Sequence, residues 1–366
     1  MEKKKNDFIA QGSILAIASI LVRVMGMIYR IPMTAIIGDK GNGFYSYAYS
    51  LYTILLLLSS YSLPLAVSKM VSAKAQLGQW RNVKRVFICA IAFAIGIGTT
   101  FGLIVLIGAQ FFTRVFFHSE LAAIALRFMA PTILIMALLG VFRGFFQGLQ
   151  NTLPTAVSQI VEGLINAIMS VVFAYFLFDF GHGMDAAGGT TDLGYAWGAA
   201  GGAIGTGAGA LAGLIFCFIL FVAYRKILAV NISRDKTGTQ QEYGDIFRLM
   251  LSIALPVILS TALYNLIELV DGSLFNNIMA SKGMEDVKDS MWGAYNAKAL
   301  LLVHIPVSIS SAMAVSLVPT LTAAYALGDE QTAKSKVHAI LRFISILAFP
   351  SAVGLLVLAN PIIKTL

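Results

Sequence analysis

Two arginines lie inside the first long apolar stretch of the chain, at Arg23 and Arg30. A charge at the centre of a bilayer costs at least about 2.5–3.5 kcal/mol, so such residues usually face a protein interior or a wet cavity. Their seven-residue spacing predicts one helical face with about 10 Å between them. Pro32 is expected to bend or end that helix. The pattern favours a cationic face that accepts an anion, with structural pairing to acids as the alternative.

A second polar set lies in a later apolar stretch, where Asn265, Glu268 and Asp271 recur every three residues and so share a helical face. Carboxylate and amide oxygens on one face suit Na⁺ or a proton relay. Lys298 lies in the next apolar stretch. It could pair with Glu268 and Asp271 to join the two helices, reach outward to the membrane boundary, or contact the same anion as Arg23.

Composition assigns the chain to a class. Hydrophobic residues make up 58% of the sequence and charged residues 12%, whereas soluble domains are about 25% charged. The chain is therefore predicted to be an all-α, polytopic membrane protein. Cys89 and Cys217 lie in apolar runs and suggest neither a disulfide framework nor a metal site. No catalytic triad, phosphate loop or metal-ligand motif is present in the sequence, so we expect neither an enzyme nor a resident cofactor.

The apolar runs and the basic residues together predict a topology. Runs of spanning length, about 20 residues each, occur at 10–36, 44–67, 84–112, 121–147, 153–178, 196–224, 247–280, 292–324 and 337–359. With the N-terminus inside, most of the 26 lysines and arginines fall in cytoplasmic segments, as the positive-inside rule requires. The net charge of +8 therefore reflects the loops and does not indicate nucleic-acid binding.

The same pattern predicts the domain organisation. Residues 1–224 form an N-terminal lobe of six transmembrane helices, and the polar segment 225–246 is a cytoplasmic linker. Residues 247–366 form the first half of a C-terminal lobe, with three more helices. Related short motifs at 66–78 and 314–328 support a repeat of six helices, of the kind that builds two transporter lobes. A complete second lobe would need more chain, so we expect the sequence to be truncated.

Two features are expected to stabilise the N-terminal lobe. Glycines recur every four residues at Gly201, Gly205, Gly209 and Gly213, and they form a small-residue ridge that allows a neighbouring helix to approach closely. Glu162 lies within the fifth predicted helix. It is interpreted mainly as a structural partner of an arginine or of a helix end.

Motifs in several predicted helices resemble those of one transporter family. The first helix reads Arg-Val-Met-Gly-x-x-Tyr-Arg-Ile-Pro from Arg23, and it is followed by Ile-Ile-Gly and Gly-x-Gly-x-Tyr-Ser. The fourth ends in Phe-Arg-Gly-x-x-Gln-Gly-x-x-Asn-x-x-Pro, starting at Phe142, and the eighth contains Tyr-x-Ala-Lys, ending at Lys298, and Val-Ser-Leu-x-Pro. In these motifs and their order, the chain resembles the oligosaccharide-lipid flippases of the multidrug/oligosaccharidyl-lipid/polysaccharide exporter (MOP) superfamily.

The resemblance implies a family fold of about fourteen helices in two lobes around a cationic cavity. It implies that Arg23 matches the family's first arginine, that Arg30 lies one position from the second, and that Lys298 replaces an arginine without its bidentate fork. Asp271 resembles the acid of the family's Na⁺ site. An acid that some members carry after the first helix is expected to be missing, because Gly43 and Phe44 occupy its place.

The resemblance also implies a function: movement of an undecaprenyl-diphosphate-linked glycan, such as lipid II, from the inner to the outer leaflet of the bacterial plasma membrane. Coupling to Na⁺ or H⁺ and contact with the cell-wall synthesis machinery are implied in the same way. One alternative is a drug/cation antiporter of the same superfamily, against which the cationic residues count. A non-transporting membrane scaffold is the other, and it would have no use for charges set deep in several helices.

Overall fold

A computed structural model describes residues 18, 21–57, 62–188, 192–238, 240–300, 302–304, 306–307, 310 and 329–365, and the statements below concern these residues. They form α-helices and one π-helical turn, with no strand among them, which confirms the all-α class. In chain order the elements are α1 Leu21–Ile28, α2 Arg30–Leu56, α3 Leu63–Gln76, α4 Trp80–Phe117, α5 Ala122–Gly148, α6 Leu153–Gly188, α7 Leu193–Ser233, α8 Tyr243–Ser281, α9 Glu285–Ala294, the π-turn Tyr295–Ala299 and α10 Glu330–Thr365.

The first predicted helix is bent. The axes of α1 and α2 differ by 45° across Tyr29. Pro32 lies in the first turn of α2, where its missing N–H would lack a helical partner in any case, and its ring displaces the carbonyl four residues earlier, at Ile28. The expected bend is therefore present three residues before the proline. A second break follows at Gly38, whose φ of 61° is a left-handed conformation that favours glycine.

The described helices fit a membrane-spanning bundle. Five of them, α4–α7 and α10, are long and apolar enough to cross a membrane, and the bent pair α1–α2 also meets this criterion when it is counted as one span. The predicted second span is divided between α2 and α3, with Pro64 in the first turn of α3. Much of the predicted eighth span, 292–324, lies outside the described residues. The chain is a multi-pass membrane protein.

The predicted linker 225–246 is shorter in the structure. α7 continues to Ser233 and α8 begins at Tyr243, so the non-helical residues described between them are 234–238 and 240–242. The added turns of α7 are helical because they have an apolar side: Leu228 is buried and Ile232 packs against the same core. The polar residues of this stretch make that apolar side hard to recognise from the sequence.

The linker is held against the start of α4. Asp235 accepts hydrogen bonds from the backbone N–H of Arg81 at 2.9 Å and from the N–H and hydroxyl of Thr237 at 2.9 and 2.6 Å. These bonds lower the pKa of Asp235 to about 2. Arg85 donates to the carbonyl of Gln241 at 2.6 Å. The contacts tie the entrance of α8 to the N-terminal helices.

The predicted glycine ridge is confirmed between α6 and α7. A Cβ at Gly201 would overlap the backbone of Phe173 and Ala174, and a Cβ at Gly205 would overlap Ser170. The two helix backbones are therefore in direct contact. Van der Waals packing of this kind drives helix association in a membrane, where apolar burial alone supplies little.

Two clusters of buried side chains lie at different places in the bundle. One is built around Tyr47 and Phe117, whose ring centroids are 4.6 Å apart, and it includes Trp292 from α9. The other is built around Phe145 of α5 and includes Met250 from the start of α8. Each cluster joins α8 or α9 to the N-terminal helices, so the two halves of the described chain are packed together at two separate places.

Candidate functional site

A cavity of about 670 Å³ lies between the N-terminal helices and the elements α8 to the π-turn. Such a volume is within the range of about 300–1,000 Å³ typical of small-molecule sites. Its lining combines several aromatic rings with both signs of charge. The lining residues are Tyr29, Arg30, Met33, Asn42, Tyr45, Ser46, Tyr49, Ile267, Asp271, Trp292, Tyr295, Asn296, Ala297, Leu300 and His304.

Arg30 is the arginine that the fold brings to this cavity. It is half-buried at the first position of α2. Its guanidinium interacts with the hydroxyl of Tyr29 and lies within electrostatic range of Tyr45 and Tyr49. The bend at Tyr29 points α2 along the cavity wall, which gives a cation among tyrosine rings.

Arg23 lies elsewhere. It is exposed on α1, and it is not among the lining residues of the cavity. Its neighbours Val22 and Met25 lie against Gly163 of α6. The predicted spacing of Arg23 and Arg30 assumed one straight helix, and the 45° break between them removes that assumption.

Lys298 is engaged in an ion pair. Its Nζ donates to Oδ2 of Asp39 at 3.0 Å, which joins the π-turn to α2. An acid does follow the first predicted helix in this chain: Asp39, directly after Gly38, is the partner of Lys298. Asp39 lies three residues after the first apolar run, which ends at residue 36, and precedes the position near Gly43 and Phe44.

The predicted cation-binding residues are only partly described. Asp271 is exposed on α8 and lines the same cavity as Arg30. Asn265 and Glu268 lie on the same helix, but their side chains fall outside the described part of the structure. Within that part, no group of three or more His, Cys, Asp or Glu residues could hold a metal ion. Lys298 pairs with Asp39 in the structure, and not with Asp271 as the alternative had it.

The backbones of α2 and α9 meet beside the cavity, next to its lining residues Asn42 and Trp292. We call this region, around Asp39, Gly43, Lys288 and Gly293, the closed end. A Cβ at Gly293 would overlap the carbonyl oxygen of Asp39, and a Cβ at Gly43 would overlap that of Asp289. The two backbones therefore touch at both glycines. No larger residue fits at either position in this arrangement.

Lys288 adds a buried cation to the closed end. Its side chain is 4% exposed, and its Nζ donates to the carbonyl of Phe117 at 3.2 Å and to Oδ1 of Asp289 at 2.8 Å. The Nζ also lies 5.8 Å from the ring centroid of Tyr47. Lys288 thus caps the C-terminal end of α4, where a positive charge is favourable. Sequence reasoning missed it because lysine in a predicted outer loop reads as a solvated charge.

Two neutral hydrogen bonds connect α8 to the N-terminal helices near the same end. The hydroxyl of Tyr47 donates to Oδ1 of Asn276 at 2.9 Å, and both residues are buried. Nε2 of His118 lies 2.9 Å from Oδ1 of Asn277. These bonds extend the closed end from α9 to α8.

A further ion pair lies within the N-terminal helices. Arg143 donates from Nη2 to Oε2 of Glu162 at 2.7 Å and from Nε to the hydroxyl of Ser158 at 2.8 Å. The prediction that Glu162 pairs with an arginine is confirmed, and the partner is Arg143. The sequence had placed this arginine in a cytoplasmic segment, because the motif around it lies at the end of its apolar run.

With this geometry established, comparisons with known proteins assign the family. A family model described as polysaccharide biosynthesis protein matches residues 8–324. The chain belongs to this family.

Two proteins of Bacillus subtilis (strain 168) are similar in sequence to this chain. It is 26% identical over 359 residues to the lipid II flippase MurJ, which covers 95% of this chain and 64% of that protein. It is 24% identical over 367 residues to stage V sporulation protein B, with 99% and 67% covered. The chain therefore spans about two thirds of the length of these relatives.

The fold is similar to that of solved transporters. A structure described as the inward-facing conformation of a multidrug resistance MATE family transporter of the MOP superfamily matches with a TM-score of 0.63 and 14% identity. The match covers 92% of this chain and 74% of that one. The predicted MOP-type helical fold is confirmed, because the described helices follow the fold of that solved transporter.

Proposed function

We propose that the protein moves an undecaprenyl-diphosphate-linked cell-wall precursor, lipid II or a related glycan, from the inner to the outer leaflet by alternating access. The observation that carries the proposal is Arg30, a cation in the lining of a cavity between two sets of helices. The family and the MurJ relative support the same class of substrate. Transport without a covalent step agrees with the sequence, which contains no catalytic motif.

Arg30 has a specific task in this mechanism. A diphosphate that leaves water without a partner is destabilised by many kcal/mol. A guanidinium offsets that cost through charge-assisted, bidentate hydrogen bonds. We assign the first phosphate contact to Arg30. Arg23, exposed two turns earlier on α1, is proposed to attract the anion before it enters the cavity.

Lys298 and Asp39 are proposed to act as a seal that opens. The pair holds the π-turn to α2 while the closed end is shut. When the bundle opens at that end, Lys298 loses Asp39 and becomes able to contact the phosphate. The bound anion would then pass from Arg30 to Lys298. During this step the cavity would close on one side of the membrane and open on the other.

We assign the closed end to the outer face of the plasma membrane, with the N-terminus in the cytoplasm. The positive-inside distribution supports this orientation. Cysteine labelling of intact cells tests it at two exposed positions, Asp286 and Lys236. We expect an impermeant reagent to reach position 286 and not 236. Labelling at 236 from outside would reverse the orientation and the assignment of the closed end.

Asp271 is proposed to bind the coupling ion, Na⁺ or H⁺, together with Asn265 and Glu268 of the same helix. Because it lines the same cavity as Arg30, ion binding there would be linked to the charge of the cavity. We expect Asp271→Asn to abolish the ion dependence of transport while membrane insertion is kept. Unchanged ion dependence would leave Asp271 with a structural role.

A drug/cation antiporter is the second candidate, because aromatic rings and Asp271 line the same cavity and both attract cations. Arg30 counts against it, since a second cation among the same tyrosines would be repelled. Competition separates the two: lipid-linked diphosphates should displace a bound probe, and an organic cation should not. A non-transporting scaffold would bind neither, and it would have no use for the cavity.

Complementation tests the main proposal. The complete gene is expressed in a strain depleted of its own lipid II flippase, and growth is measured. We expect rescue by the wild type, no rescue by Arg30→Ala, and full rescue by Arg127→Ala, which removes an exposed arginine outside the cavity lining. Rescue of a teichoic-acid or spore-cortex defect instead would shift the substrate to another lipid-linked glycan. Growth supported by a well-expressed Arg30→Ala protein would refute the role of Arg30.

A further inference from the structure

Three tyrosines form a ladder along α2, at Tyr45, Tyr49 and Tyr52. Their spacing of four and three residues places them on one helical face. The ring centroids of Tyr45 and Tyr49 are 5.7 Å apart with the planes nearly parallel, and those of Tyr49 and Tyr52 are 5.9 Å apart. Such distances allow each ring to hold its neighbour in place. We call this set the tyrosine ladder.

The middle ring of the tyrosine ladder is the accessible one. Tyr45 and Tyr52 are 7% and 3% exposed, whereas Tyr49 is 37% exposed and lines the cavity. Tyr45 is also within 3.4 Å of the hydroxyl of Thr206 on α7. Tyr49 therefore presents its ring to the cavity, and its two buried neighbours hold that ring in position. Because those neighbours are buried, the exposure of Tyr49 lowers the stability of the fold little.

The surroundings of Tyr49 indicate which ligand its face suits. An aromatic face carries a negative quadrupole, which attracts either a cation or the weakly positive C–H face of a pyranose ring. Arg30 already lies within electrostatic range of Tyr45 and Tyr49, so a second cation would be repelled there. A neutral sugar joined to a negative phosphate satisfies both groups at once.

The same cavity offers groups that suit sugar hydroxyls. Asn42 and Asn296 line the cavity and donate through Nδ2 to the carbonyls of Gly38 and Trp292, at 2.8 and 2.9 Å. Their Oδ1 atoms remain as acceptors for hydroxyl donors. Tyr295, which is 48% exposed, presents a second aromatic ring to the same space.

We propose that Tyr49 stacks against the first sugar of the substrate and selects a glycosylated prenyl diphosphate over a bare one, while Arg30 binds the phosphate. This inference rests on the proposed function, and it adds the recognition of the glycan to that of the diphosphate. It explains why a cavity for an anion is lined with tyrosines. Selection at this step would prevent the return of the unloaded carrier by the same route.

Binding to the purified protein in detergent tests the inference with two probes, farnesyl diphosphate and its N-acetylglucosamine conjugate. We expect the wild type to bind the conjugate about tenfold more tightly, a difference of the size that one aromatic contact supplies. Tyr49→Leu should bind both probes equally, with its affinity for farnesyl diphosphate unchanged. Tyr49→Phe should keep the preference, because the ring remains. Tyr175→Leu, at an exposed tyrosine of α6 outside the cavity lining, is the matched control.

The outcomes separate this inference from the proposed function. If wild type binds neither probe, the proposed function fails. If it binds both equally, or if Tyr49→Leu keeps the preference, only the role of Tyr49 fails. If Tyr49→Leu does not fold, saturation-transfer NMR on the wild type decides: saturation of aromatic protons should reach the sugar ring protons more strongly than the prenyl protons. Equal transfer to both would refute stacking. We expect that the organic cation tetraphenylphosphonium displaces neither probe. Displacement of the conjugate by tetraphenylphosphonium would support a cation site instead.

Discussion

Two ion pairs of similar length have different places in this molecule. Arg143 and Glu162 join α5 to α6, and Ser158 accepts a second hydrogen bond from the same guanidinium. Lys298 and Asp39 join the π-turn to α2, and Lys298 makes this contact with a single ammonium group. The second carboxylate oxygen of Asp39 is buried without a partner in the described part of the chain. The Arg143–Glu162 pair is therefore well satisfied in its hydrogen bonds, and the Lys298–Asp39 pair is less so.

The difference follows from what each pair connects. A guanidinium with two acceptors is held in one geometry, whereas an ammonium is a point charge that exchanges partners easily. The first pair joins two helices of the N-terminal set, which stay together in the proposed mechanism, so it does not have to break. The second lies where the bundle separates in the proposed transport mechanism. We infer that the incomplete satisfaction of Asp39 keeps the closed end from becoming too stable to open.

The largest effect is expected from breaking the pair within the N-terminal helices. Arg143→Met leaves the Glu162 carboxylate, 25% exposed, without its cation, and this should lower the free energy of unfolding by about 3 kcal/mol. Thermal unfolding in detergent and membrane abundance measure the loss. Adding Glu162→Met should restore much of the stability, because no lone charge is then left. A single variant as stable as the wild type would contradict the structural role of this pair.

The next largest effect is expected at the closed end. Gly293→Ala places a Cβ against the carbonyl of Asp39, which should destabilise the closed arrangement by about 1–3 kcal/mol. Spin labels at Glu120 and Asp286, both exposed near this end, should then report a longer distance by electron paramagnetic resonance. Gly354→Ala on α10, where a Cβ meets open space, is the matched control. An unchanged distance in Gly293→Ala would show that this end stays shut for other reasons.

A smaller shift is expected from the pair between the halves. Asp39→Asn removes the charge opposite Lys298 and should shift the closed population by about 1 kcal/mol, or roughly fivefold, with little change in unfolding temperature. The same spin labels report the population. Exchanging the charges, Asp39→Lys with Lys298→Asp, should restore the closed distance. If the exchange restores the distance and transport too, Lys298 has no contact of its own with the substrate.

The smallest effect is expected at the linker, far from the closed end. Because the pKa of Asp235 is lowered to about 2 from an ordinary value of 3.8, its stabilising effect is present above about pH 4 and is lost as the pH falls through about 2. The difference in unfolding temperature between wild type and Asp235→Asn should be constant from about pH 5 to 8 and shrink below about pH 4. A difference that persists below about pH 2 would mean that the charge of Asp235 is not what holds the linker.

Some of these features were predictable because they are properties of single helices. The apolar runs predicted most of the described helices, and the four-residue glycine spacing predicted the close contact of α6 and α7. The carboxylate of Glu162 in an apolar run required a partner, which the structure supplies. In each case the chemistry of one segment determines the outcome, whatever lies beside it.

Other features depended on where one helix lies against another. The apolar run around Arg23 and Arg30 predicted one straight helix, but the break at Tyr29 brings only Arg30 to the cavity lining. Asp39 was overlooked because nothing near it in the chain shows that Lys298 would be its partner. In the sequence Lys288 resembles a solvated lysine, because only the fold shows that α4 ends beside it.

By itself, the sequence determined the all-α class, the membrane environment, the family and the need to compensate each buried charge. Only the tertiary structure decided which charges meet. The physical reason is that hydrophobic periodicity sets which side of a helix is buried, while the identity of the facing helix depends on close backbone contacts, as at Gly43 and Gly293. The closed end and the cavity with its tyrosine ladder both result from those contacts.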